Sequence, residues 1–185
     1  MDATGCDEAG GGGAMVIWLI GLSAAGKTSV GRALVEQLRR RHDNLVFLDG
    51  DLLRQVWGDQ LGHDIEGRQR NAHRISHLCR LLDQQGIHAV AAVLSLFPEW
   101  QQWNRENFSS YFEIFLDTPM AELERRDPHG LYARARAGEE PNVVGVDIPF
   151  PPPPAPDLTL AAPEVLEAPS AIAERILAAL PDPLP

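Results

Sequence analysis

Gly21-Leu22-Ser23-Ala24-Ala25-Gly26-Lys27-Thr28 is a complete G-x-x-x-x-G-K-[ST] octapeptide, the residue types and spacing that bind a nucleoside triphosphate. Gly21 and Gly26 permit turns closed to residues with side chains. Successive N–H groups can then converge on phosphate oxygens at a helix N-terminus, where the dipole also favours an anion. Lys27 is placed to reach the β- and γ-phosphates, and the Thr28 hydroxyl to hold Mg²⁺. A second constellation is Asp49-Gly50-Asp51 followed by Arg54. Phosphoryl transfer needs one carboxylate to orient or deprotonate the attacking hydroxyl, another to organise Mg²⁺ and its water, and cations for the transferred charge. Asp51, Asp49 and Arg54 supply those parts, although Asp-Gly is also a common turn pair. Arg68, Asn71 and Arg74 follow at i, i+3, i+6 along one helix face, which composition alone reads as solvated.

These residues need strands and helices to hold them. Met15-Val16-Ile17-Trp18-Leu19-Ile20 reads as a buried strand ahead of the octapeptide, and 29–41 repeats apolar residues at Val30, Ala33, Leu34 and Leu38, a helical spacing. Further strand-like runs stand at 45–48, 87–94, 112–116 and 158–160, with helical patterns at 68–85, 99–107, 120–126 and 170–180. Such alternation predicts a parallel sheet with helices on both faces. The run 89–94 is apolar throughout, as a strand buried on both sides requires. Phosphate chemistry is then expected at the carboxyl ends of the strands, where Asp49 and Asp51 face the octapeptide. Two stretches break the alternation. Residues 127–148, rich in charge and glycine, are expected to form a mobile lid, and the proline run 149–156 a stiff extended connector.

The chain has 185 residues, of which 44% are hydrophobic, enough for one domain with its own core. The expected organisation is a flexible leader at 1–14, glycine-rich at 10–13, then a single domain over 15–185, with Met15 an alternative start. Cys6 and Cys79 have neither metal-site nor disulfide-framework spacing, which fits a reducing cytoplasm. No apolar stretch approaches a membrane span, and the leader lacks a signal-peptide pattern, so neither membrane insertion nor secretion is expected. A net charge of −10 argues against a nucleic-acid polymer as partner. A local cluster of Arg, Lys and Mg²⁺ can still hold a small anion within a screening length of about 8–10 Å.

From about Met15 to Leu160 the chain resembles the adenylylsulfate (APS) kinases. These P-loop kinases transfer the γ-phosphate of ATP to the ribose 3′-hydroxyl of adenosine 5′-phosphosulfate. The resemblance rests on the octapeptide, on Leu48-Asp49-Gly50-Asp51 with Arg54, and on Gly62 with Arg68, Asn71 and Arg74. It continues through Phe112-Glu113-Ile114-Phe115-Leu116, Glu124-x-Arg126-Asp127-Pro128-x-Gly130-Leu131-Tyr132, Ala135-Arg136-Ala137-Gly138-Glu139 and Gly145-Val146-Asp147-x-Pro149. It implies a three-layer α/β sandwich of the P-loop NTPase type with a mobile lid. It also implies Asp51 as base and 3′-hydroxyl anchor, Asp49 beside Mg²⁺, Lys27 in catalysis, and ATP held by residues 21–28 and Arg126. The acceptor nucleotide falls to Asp51, Arg54, His63, Arg68, Asn71, Ser95, His129, Gly130 and Leu131. Related kinases are commonly dimers, so a homodimer is a possible assembly.

The departures lie on the acceptor side. Where the family usually carries two Phe rings that sandwich the acceptor adenine, this chain has His63 and Val143. The family's Ile-Ser-Pro-Tyr-Arg is here Leu94-Ser95-Leu96-Phe97-Pro98, without its arginine, and His129 stands where the lid usually has Lys. Three readings follow: phosphorylation of APS itself; the same chemistry on another nucleotide such as a cytidine diphosphate derivative; or a nucleotide-binding module without turnover, which the retention of Lys27, Thr28, Asp49 and Asp51 disfavours. Direct transfer is preferred to a phosphoenzyme on Ser95.

Overall fold

The computed structural model describes residues 13–58, 61–127, 129–181 and 184. The expected leader lies outside the described residues except for Gly13 and Ala14, as do Cys6 and Pro128. Five strands, β1 (Met15–Ile20), β2 (Leu45–Asp49), β3 (His88–Val93), β4 (Ser110–Leu116) and β5 (Leu158–Leu160), form one parallel sheet in the order β2-β3-β1-β4-β5. The helices are α1 (Lys27–Leu38), α2 (Gly50–Val56), α3 (Ile65–Asp83), α4 (Pro98–Asn107), α5 (Met120–Arg126), α6 (Leu131–Arg136) and α7 (Pro169–Ala179). The expected three layers are present.

Strand periodicity sorts the core. All six residues of β1 are buried. Met15, Ile17 and Leu19 point to one side, packing with Val30 and Leu34 of α1 and Ile172, Ala173 and Ile176 of α7. Val16, Trp18 and Ile20 point to the other, against Ile75 and Cys79 of α3, Trp103 of α4, and Leu53 and Trp57 of the α2 end. The central position belongs to β1, with β3 beside it, so the apolar run at 89–93 is covered on both faces as its composition requires.

Two helices go beyond the sequence expectation. The Asp-Gly-Asp segment is the start of α2, whose N-cap is Asp49; its carboxylate accepts from the N–H groups of Asp51 and Leu52. Seven residues are too few for a periodic signal, so the cap is the only mark of this helix. Within the expected lid, Gly130 at φ 64 opens α6, and Tyr132 behind it is buried. From β2 the chain returns through β3 to β4 on the far side of β1. The resulting crevice at the strand ends is where an open parallel sheet binds ligands.

Candidate active site

The turn between β1 and α1 is built around backbone freedom. Gly26 is the N-cap of α1 at φ 90, and a Cβ on Gly21 would stand 3.2 Å from the Leu116 carbonyl at the end of β4. Lys27 folds back so that its Nζ donates to the Leu22 carbonyl at 2.8 Å. Burial lowers its pKa from 10.5 to about 8, against the opposing pull of the Asp51 and Asp49 charges. Triphosphate oxygens would reverse that shift by favouring the ammonium. ATP affinity should therefore be greatest below about pH 8 and fall above it, with a proton taken up on binding. Calorimetry in buffers of different ionisation enthalpy, compared with Lys27→Arg, measures that proton; equal heats in all buffers above pH 8 would exclude it.

Asp49, at the carboxyl end of β2 and 7% exposed, uses both oxygens. Its Oδ1 caps α2 by accepting from Asp51 N at 3.0 Å and Leu52 N at 3.2 Å; its Oδ2 accepts from the Thr28 hydroxyl at 2.6 Å. Thr28 and Asp49 thus meet across 21 residues of sequence as an adjacent pair of hard oxygen donors. Asp51 sits in the first turn of α2 with an exposed side chain, near enough for its charge to act on Lys27, Arg54, His63 and Arg68.

One cavity of about 770 Å³ gathers most of the expected residues. Ser23 to Thr28, Asp49, Asp51, Arg54, His63, Arg68, Asn71, Ser95, Arg126, His129 and Leu131 all line it. Gly21, Leu22 and Gly130 do not: Gly21 packs under the loop, Leu22 lies against the core, and Gly130 starts α6. Arg126 lies over the phosphate loop, its Nη1 3.8 Å from where a Gly26 Cβ would be. Burial lowers the pKa of His63, and the neighbouring Arg54 and Arg68 lower it further, so the ring is neutral near pH 7. Asn71 Oδ1 is buried with no protein partner.

Sequence reasoning missed Trp18 and Gln101. Ser95 holds a left-handed φ of 52, a conformation that costs an L-residue about 1–2 kcal/mol. Its hydroxyl accepts from Trp18 Nε1 at 3.1 Å and Gln101 Nε2 at 3.3 Å, and Gln101 also donates to its carbonyl at 3.1 Å. Hydrogen bonds contributing about 0.5–1.5 kcal/mol each are enough to offset the strain. Both partners read as ordinary strand and helix residues in the sequence, so no pattern marks them. The buried Tyr132 of α6 donates its hydroxyl to the Ser23 carbonyl at 2.9 Å, tying the expected lid to the phosphate loop.

The profile of the adenylylsulphate kinase family matches residues 13–161. The chain belongs to that family. An adenylylsulphate kinase-type protein is an ATP-dependent phosphotransferase acting on a hydroxyl group. The chain is 41% identical over 135 residues to a cytidine diphosphoramidate kinase of Campylobacter jejuni, covering 73% of this chain and 79% of that protein. To an adenylyl-sulfate kinase of Gloeothece citriformis it is 39% identical over 139 residues, 75% of this chain and 79% of that one. The Mycobacterium tuberculosis APS kinase CysC, solved in complex with AMPPNP and APS, superposes with a TM-score of 0.80 at 34% identity, over 90% of this chain and 97% of that one. Among the described residues no helix is long and apolar enough to cross a membrane.

Proposed function

We propose that this kinase transfers the γ-phosphate of ATP to the ribose 3′-hydroxyl of a nucleotide with an anionic 5′-group, and that the acceptor is a cytidine diphosphate derivative. The observation that carries the choice is the pair His63 and Val143. Both line the cavity, and by the sequence resemblance they stand where the family usually carries the two Phe that sandwich adenine. Val143 is aliphatic and 4% exposed, so of these two positions His63 alone carries a ring. Losing an aromatic face removes about 1–3 kcal/mol of base stacking, which weighs most on a two-ring base. Pro98 replaces the family's arginine and serves here as the first residue of α4. Arg54 and Arg68 are then the cations facing the acceptor's 5′-anion, and Asn71 Oδ1 offers an acceptor for its N–H or O–H groups.

The residues fit Mg²⁺ as the partner of ATP. Thr28 Oγ1 and Asp49 Oδ2 stand 2.6 Å apart, and two protein oxygens suffice for an ion that completes its shell with water and phosphate. When bound, Mg²⁺ neutralises charge on the β- and γ-phosphates. Asp51 accepts the proton of the attacking hydroxyl, Lys27 and Arg126 hold the triphosphate, and the segment 127–148 covers both substrates to exclude water. A second reading, APS as acceptor, is favoured by the likeness to CysC in complex with APS and by the retention of Arg54, Arg68 and Asn71.

ADP release from Mg·ATP separates the two. With cytidine diphosphate derivatives and APS in parallel, turnover should be faster with the cytidine nucleotide by about tenfold or more, one stacking contact's worth. Faster turnover with APS would replace the first reading by the second.

A further inference from the structure

Arg68 does something that a phosphate-binding arginine need not do. Its Nε donates to the His63 carbonyl at 2.7 Å, and its Nη2 donates to the Asn142 carbonyl, 74 residues away, also at 2.7 Å. Those carbonyls belong to the two segments that carry His63 and Val143, and both residues line the cavity, so the two segments form walls that Arg68 bridges.

Each wall is braced by its own hydrogen bonds. On the His63 side, Arg54 Nη1 donates to the carbonyls of Leu61 and Gly62 at 3.0 Å each, and Asp64 caps α3 by accepting from Gly67 N at 2.7 Å. A Cβ on Gly67 would fall 2.2 Å from the Gly62 carbonyl oxygen, so glycine is required for this close approach. On the other side, the Asp147 carboxylate accepts from the N–H groups of Asn142 and Val143, and Gly145 N donates to the Ile148 carbonyl at 2.8 Å. Asn142 itself is at φ 65, a left-handed residue held by that turn. Between two such units a planar guanidinium with donors fixed along one edge acts as a spacer of set width.

We infer that Arg68 is a positioning residue that fixes the gap between the His63 and Val143 walls and so sets which base the acceptor site takes. The inference rests on the acceptor reading above only in expecting a nucleotide there; the identity of the base does not enter it. A lysine at 68 keeps the positive charge but has neither the fork nor the fixed geometry to hold both carbonyls. Charge-dependent binding should then survive while base discrimination is lost.

The test uses two nucleotides that carry phosphate on both ribose ends: cytidine 3′,5′-bisphosphate and adenosine 3′,5′-bisphosphate. Each is titrated by calorimetry into the full chain with Mg·ADP present. The wild type should discriminate by about tenfold or more, and Arg68→Lys should bring the two dissociation constants within about twofold, with affinity for Mg·ADP unchanged. Asp147→Ala releases the Asn142–Val143 turn while leaving the Arg68 side chain in the sequence and should shift the ratio in the same direction, which keeps the test open if Arg68→Lys folds poorly. A wild-type ratio near one overturns the inference, as does a ratio that Arg68→Lys leaves unchanged while weakening both nucleotides equally. A wild type that prefers the adenosine nucleotide, with the preference lost in Arg68→Lys, supports the inference and overturns the cytidine reading alone.

Discussion

Asp51→Asn lowers the turnover of acceptor phosphorylation roughly 10²- to 10⁴-fold, the contribution of a positioned general base, and leaves ATP affinity within about twofold of wild type. The separation follows from where Asp51 sits. Its backbone N–H is bound by Asp49 Oδ1, so the capped start of α2 survives the substitution, and the Thr28 to Asp49 contact is not involved. The carboxylate itself caps nothing, and Asp51 is exposed and lines the cavity. One indirect effect has a known sign. The Asp51 charge is the larger of two that raise the Lys27 pKa, so its removal makes that lysine easier to deprotonate. The comparison therefore belongs well below pH 8. Steady-state kinetics with ATP titration gives both quantities, and full activity in Asp51→Asn would remove the base assignment.

Lys27→Ala should damage binding and turnover together, with turnover falling about 10²- to 10³-fold, as for loss of a donor aimed at developing charge. ATP binding should weaken by about 1.5–3 kcal/mol, the worth of a hydrogen bond to a charged group. Unliganded stability should move the other way or not at all. Lys27 is held with a pKa of about 8, so its ammonium is disfavoured by burial until phosphate arrives, and alanine relieves that cost. A melting temperature that holds or rises while activity disappears identifies a functional site under strain. A large drop in melting temperature would instead make Lys27 a structural residue.

The donor half of the site could be read from the sequence because its chemistry is local. The octapeptide spans eight consecutive residues, and Asp49 and Asp51 stand at the end of the next strand, so one motif and one alternation rule place Lys27, Thr28 and both carboxylates together. The strand at 158–160 and the helix at 120–126 are found where periodicity puts them. What escaped was short or long-range. Helix α2 has seven residues and only its cap as a signature, and α6 six residues inside a charged, glycine-rich stretch. The polar face of Arg68 and Asn71, which composition reads as solvated, lines the cavity instead. Arg68 reaches the Asn142 carbonyl across 74 residues, and Trp18 meets Ser95 across 77, contacts that no spacing rule encodes. Contacts of that range lie beyond what one motif and one alternation rule can place.

The most direct measurement is ³¹P NMR of the product formed from Mg·ATP and the cytidine diphosphate derivative, with Asp51→Asn as the blank. The expected result is stoichiometric ADP together with a new phosphomonoester resonance coupled to the ribose H3′, absent with Asp51→Asn. ADP with inorganic phosphate alone, from either the cytidine nucleotide or APS, would contradict phosphoryl transfer to a ribose hydroxyl.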